Sequence, residues 1–64
     1  MQKFVKKMVD EKSDIDDKIK KLEAFMLTPT YTELSQKEKK LIREQDDAMN
    51  IYSRALGERI ELYN

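Results

Sequence analysis

Gln45, Tyr52 and Arg59 recur at intervals of seven residues. At about 100° per residue in a helix, that spacing sets an amide, a phenol and a guanidinium along one face. Ala48 and Ala55 fall between them, and with Leu41 before and Leu62 after they complete a 4-3 pattern. Three polar-tipped side chains therefore interrupt a stripe in which a plain hairpin carries leucine. An aromatic ring, an amide and an arginine in a row can stack on a base, read its edge, and hold a phosphate or carboxylate. The same row also has a plainer use, in which Gln45 and Tyr52 set helix register and the Arg59 stem lies over the core with its head in water. A guanidinium withdrawn from water keeps its proton. Arg59 in a buried seam must then meet a carboxylate, backbone carbonyls, a water-filled cavity or an anionic ligand.

A second group surrounds the only proline, Pro29. Tyr31 can fold over Phe25 and Leu34 as a lid or stack on a ligand, and the hydroxyls of Thr28, Thr30 and Thr32 suit either a turn or a phosphate. Lys18, Lys20 and Lys21 gather near Lys37, Lys39 and Lys40 if the chain doubles back, but Glu23, Glu33 and Glu38 are interleaved and make a solvated face the simpler expectation. The doublets Asp16-Asp17 and Asp46-Asp47 diverge on a helix, so both are expected in solvent rather than as an acid/base pair. Gly57 either marks an early helix end, as a slightly weak terminal turn, or lets another backbone or a ligand come close.

The 64 residues contain no cysteine and no histidine. Disulfides, the usual zinc, copper and haem ligations, and most nucleophile–base chemistry are thereby removed, so no catalytic residue, metal or cofactor is expected, and no enzyme. Thirteen basic residues balance thirteen acidic ones, too even a field for a DNA or RNA polymer as partner. The longest apolar run, Ala24 to Leu27, is far short of a membrane span. With no apolar stretch after the first basic residues, a cytoplasmic location is expected.

These residues need elements to position them. Pro29 disfavours a helical Thr28 and separates two segments of helix-forming composition. The reading is a single domain over 1–64, with a helix at about 2–27, a connector at 28–35 and a helix at about 36–62. Ser35 and Glu38 have the spacing of a capping box at the start of the second helix. On the first helix, Met1, Val5, Met8, Ile15, Ile19, Leu22 and Met26 form a stripe interrupted at Lys12, and Phe4 and Phe25 widen it. Ser13-Asp14-Ile15-Asp16 resembles a further cap and allows a split there, although one bent helix is expected. On the second helix, the seam runs through Leu41, Gln45, Ala48, Tyr52, Ala55, Arg59 and Leu62, flanked by Ile42, Met49, Leu56 and Tyr63. No alternating β-branched stretch exists, so the fold expected is all-α: an antiparallel two-helix hairpin. A chain this short gains little from one core, so it is expected to assemble into a homo-oligomeric helical bundle.

Lys21-Leu-Glu-Ala-Phe25, Thr28-Pro-Thr-Tyr31, Leu34-Ser35, Gln45, Ala48-Met49, Tyr52, Leu56 and Arg59-Ile60 together resemble a family of very short phage proteins, known from crAss-like phages among others. The resemblance runs over about residues 18 to 62 and leaves the N-terminal arm outside it. That family is similar in turn to phage anti-CBASS sponges, small helical oligomers that sequester cyclic nucleotide immune signals. The resemblance implies a non-enzymatic protein that takes up a small cyclic nucleotide or cyclic ADP-ribose-type signal between its subunits, and it transfers no binding residues. The expected ligand-binding set, Arg59, Tyr52 and Gln45 with Tyr31 or Thr28 closing the site, rests on the seam alone. The alternative is a structural or protein-binding helical oligomer without a small-molecule ligand, in which Arg59 pairs with Asp46, Glu38 or a carboxylate of another subunit.

Overall fold

The computed structural model describes residues 2–63. Helix α1 runs Lys3–Phe25, a four-residue turn of helix α2 runs Pro29–Thr32, and helix α3 runs Gln36–Glu61. Ser13 to Asp16 lie within α1 without a break, so the cap-like run does not split it. The two long helices lie antiparallel, as shown by the cross-helix pairs Phe4 with Tyr63, Lys12 with Ser53, and Glu23 with Asn50. The result is a rod of 46 × 15 × 13 Å. Two helix diameters side by side account for such a cross-section, so each long helix has one face on its partner and the rest in solvent.

The connector follows from its residues. Thr28 is extended, at φ −91° and ψ 156°, as a residue before proline prefers. Its hydroxyl donates to the Phe25 carbonyl at 2.6 Å and accepts from the Tyr31 N–H at 3.3 Å, closing α1 and capping α2 together. Ser35 caps α3 by accepting from the Glu38 N–H at 3.1 Å.

On α1 the buried residues are Val5, Met8 and Ile19, with Ile15, Leu22, Phe25 and Met26 half-buried. That is the stripe expected from the sequence; Met1, its first member, lies outside the described residues. On α3 the buried stripe is not the expected seam. Ser53 and Leu56 are buried and Ile42, Asp46, Met49 and Ile60 are half-buried, while Leu41, Gln45, Ala48, Tyr52, Ala55, Arg59 and Leu62 are all exposed. The inward face is the series one residue later in the 4-3 pattern, a turn of about 100°. Val5, Met8 and Leu56 form the densest core, with Ile15 and Ile60 packed on it.

Two polar clusters break the packing between the helices. Lys12 donates from Nζ to Oδ2 of Asp16 at 2.9 Å and to Oγ of Ser53 at 3.1 Å, and the Ser53 hydroxyl donates to Oδ1 of Asp16. These three groups satisfy one another at the gap that Lys12 makes in the apolar stripe. Further along, Asn50 donates to Glu23 at 3.3 Å and to the Asp46 carbonyl at 2.8 Å, tying α3 to α1 on one edge of the hairpin. Asp16 and Asp46 are therefore half-buried at the helix interface, whereas Asp17 and Asp47 are exposed. Only the second residue of each doublet has the solvated position expected of both.

Candidate functional site

The concave feature of interest lies between α1 and α3 in the half of the hairpin nearer the connector. Leu22, Phe25 and Met49 floor a groove of about 360 Å³, and Lys18, Lys21 and Gln45 stand at its margin. That volume is at the low end of the range for small-molecule sites, roughly 300 to 1,000 Å³. The floor comes from the half-buried residues of both stripes, and the polar margin from residues one position earlier on each helix. At 100° per residue those positions share one edge of the antiparallel pair. The chemistry on offer is an apolar and aromatic floor for a flat ring, an amide with a donor and an acceptor, and two ammonium groups for an anion.

Of the residues picked out from the sequence, Gln45 alone lines this groove. Tyr31 and Thr28 adjoin it through Phe25. The Tyr31 ring meets Phe25 edge-on with centroids 6.1 Å apart, and Thr28 holds the Phe25 carbonyl. The Tyr31 hydroxyl accepts from Arg43 Nη1 at 3.3 Å, and the ammonium of Lys39 lies 6.0 Å from the ring centroid. Tyr31 thus packs on Phe25 while its polar tip is engaged at the surface.

Tyr52 and Arg59 stand further along the same edge, outside the groove of their own chain. The Tyr52 hydroxyl donates to Oε2 of Glu11, and this bond, with desolvation and the nearby negative charge, raises the phenol above its ordinary range. Arg59 is exposed and forms no ion pair among the described residues. The burial that a place in the central seam demanded is absent, because the seam is turned outward; the guanidinium is exposed and donates no side-chain hydrogen bond among the described residues.

The sequence reading passed over Lys18 and Lys21 as part of a solvated face and treated Phe25, Leu22 and Met49 only as core or flank. A usable signal was present. Lys18 and Lys21 precede the stripe residues Ile19 and Leu22 by one position, which is where a helix-pair groove takes its rim.

Two carboxylates of the interface, neither of them lining this groove, have shifted titrations. Asp16 is held below its ordinary range by the hydrogen bond from Ser53 and then by Lys12. Asp46 is pushed up by desolvation and then by Glu23 beside it, and its Oδ1 is shielded without a hydrogen-bond partner among the described residues.

Among the described residues, no helix is long and apolar enough to cross a membrane. Comparison with curated proteins gives no match, and comparison with solved structures gives none. The family comparison does give one, over residues 2–62, to a family described as Sequestin, and by that match across nearly its whole length the chain belongs to the Sequestin family.

Proposed function

We propose that this protein is a sponge: it binds a small cyclic nucleotide or cyclic ADP-ribose-type signal at joints between subunits, lowers its free concentration and releases it unchanged. The family's name speaks of sequestration, in agreement with holding a ligand. The observation that carries the reading is the groove of Leu22, Phe25 and Met49 rimmed by Lys18, Lys21 and Gln45. A nucleobase lies flat on Phe25 and Met49, Gln45 takes its edge, and the two lysines face the phosphates.

Net charge is zero, yet two phosphates need only a few cations placed locally. Phe25 is set in place by Thr28 and Tyr31, so those two residues act on the ligand by positioning the ring. Tyr52 and Arg59 lie on the same edge and join the site across a subunit joint. The setting is a phage protein acting in the cytoplasm of a host bacterium, against a cyclic-nucleotide defence of the CBASS type. No bond is broken in this scheme.

The test is direct. The protein is mixed with a panel of cyclic dinucleotides, cyclic trinucleotides and cyclic ADP-ribose isomers, freed of unbound ligand, and heat-denatured; the supernatant is analysed by chromatography and mass spectrometry. One compound recovered intact in stoichiometric amount is expected. A hydrolysed product, or no retained compound from any class, overturns the reading.

A further inference from the structure

The edge of α3 beside its contact with α1 carries a pattern that reads the same in both directions. Leu41, Ala48, Ala55 and Leu62 are each seven residues apart, large at the ends and small in the middle. All four are exposed, Leu41 by 54% and Leu62 by 79%. Between them, Gln45, Tyr52 and Arg59 complete a second 4-3 series beside the one that packs on α1. A helix with two such series is built to touch two neighbours, and one chain supplies only one of them.

We infer that the second neighbour is α3 of another copy, packed antiparallel about a twofold axis near Tyr52, and that this pairing brings Arg59 of the second copy to the rim of the groove at Gln45. The palindrome suits a twofold, because Ala48 then crosses Ala55 of the second copy and Leu41 meets its Leu62. Small residues at the crossing let the backbones approach, and leucines close the ends.

Charge decides the direction. In the antiparallel register, Glu44 faces Arg59 of the second copy, and the twofold repeats the pair. In a parallel arrangement Arg59 faces Arg59, and Glu44 and Glu58 face their own kind, which is unfavourable. Within one chain Glu58 is paired with Arg54, whereas Glu44 and Arg59 form no ion pair among the described residues. The antiparallel register also sets Arg59 of the second copy within one helical turn of Gln45, hence at the groove margin, twice per dimer. A guanidinium has five N–H donors, so its pairing with Glu44 leaves donors for a ligand anion. This last step rests on the ligand reading above; the pairing of the helices does not.

The sequence has no cysteine, so engineered pairs report the register without background. The Leu41→Cys and Leu62→Cys chains, mixed and oxidised, are expected to form the mixed disulfide, while each alone stays uncrosslinked. Self-crosslinking of the Leu41→Cys chain would mean a parallel pair and overturn the inference. By sedimentation equilibrium, Glu44→Arg and Arg59→Glu should each weaken dimerisation about tenfold, and the double exchange should restore it. Ala48→Glu with Ala55→Glu should give a helical monomer by circular dichroism. A wild-type chain that stays monomeric at high concentration overturns the pairing. Ligand retention that survives the Ala48→Glu/Ala55→Glu change overturns the shared site alone. A dimer of this register that retains no cyclic nucleotide keeps the pairing and removes the ligand reading.

Discussion

A Cβ placed on Gly57 would lie 3.1 Å from Cε of Lys12. The single glycine of the chain is therefore where the Lys12 stem lies against α3, its ammonium held by Asp16 of its own helix and by Ser53 of α3. It sits within the helix, which continues to Glu61, so it does not mark a helix end. The helix end expected there is not found, and what lies close to the glycine is the stem of a lysine rather than a second backbone or a ligand.

Two effects compete when Gly57 becomes alanine. Helix propensity favours alanine by about 1 kcal/mol, and the Lys12 stem must move by a few tenths of an ångström while its ammonium is tethered at both acceptors. Gly57→Ala should thus stabilise less in the wild-type background than in a Lys12→Ala background, where it should gain nearly the full propensity. A double-mutant cycle by urea denaturation should give a coupling of about 0.5 kcal/mol. Equal gains in the two backgrounds would show that Lys12 does not sense position 57.

The Lys12, Asp16 and Ser53 cluster should give the protein an acid-labile component. The Asp16 carboxyl is lowered from 3.8, first by Ser53 and then by Lys12. A depressed carboxyl contributes stability that is complete above its unfolded value, near pH 3.8, and is lost as pH falls through the lower folded value. Melting temperature followed from pH 6 downwards should fall over that window, and Asp16→Asn should remove this part of the fall while lowering stability at neutral pH.

Asp46 carries the opposite sign. Its folded value is raised from 3.8 by desolvation and by Glu23, so the folded chain holds the proton more firmly than the unfolded one. Stability from this group falls as pH climbs from about 3.8 through the raised value. Asp46→Asn should therefore raise the melting temperature at pH 7 and leave it little changed near pH 3.5. A neutral-pH loss on this substitution would show that the carboxylate is needed charged, against the direction given by its shielded Oδ1.

Why α1 was legible and α3 was misphased has a physical basis. The stripe through Val5, Met8, Ile15, Ile19 and Leu22 has no competitor on its helix, and its one break, Lys12, is where the polar cluster sits. On α3, two series one residue apart are comparably apolar. Leu41, Ala48, Tyr52, Ala55 and Leu62 compete with Ile42, Met49, Leu56 and Ile60, and the inward series includes Asp46 and Ser53, which read as solvent positions. The choice depends on Ser53 meeting Lys12 and Asp16 across the pair, a relation between residues about 40 positions apart that periodicity on one helix does not contain. Misphasing also hid the groove, since its rim is defined relative to the buried stripe.

The two series on α3 should separate in mutation. Leu56 is 2% exposed in the densest core, and Leu56→Ala should cost about 2 to 4 kcal/mol, a large part of the roughly 3 to 10 kcal/mol expected of a chain this size. Leu41→Ala removes as much side chain from an exposed site, so its effect should depend on protein concentration: slight when the chain is dilute and larger when α3 faces pair. Urea melts at two concentrations a hundredfold apart would read this. A concentration-independent loss of several kcal/mol for Leu41→Ala would place that leucine in the monomer core instead.

The groove makes its own demands on ligand binding. Lys21→Ala removes a cation from the rim without touching the floor, and should weaken capture of a phosphorylated ligand about tenfold, with a shallower dependence on salt. Gln45→Ala should narrow discrimination between bases more than it lowers affinity, because an amide reads an edge and carries no charge. Tyr52→Phe removes a hydroxyl already donated to Glu11, so it should leave capture within about twofold and act on the helix pair instead. Isothermal titration at two salt concentrations with purines and pyrimidines in the same ring size distinguishes these effects. Were Tyr52→Phe to abolish binding while Lys21→Ala and Gln45→Ala did nothing, the ligand would have to lie over the middle of α3, away from the groove.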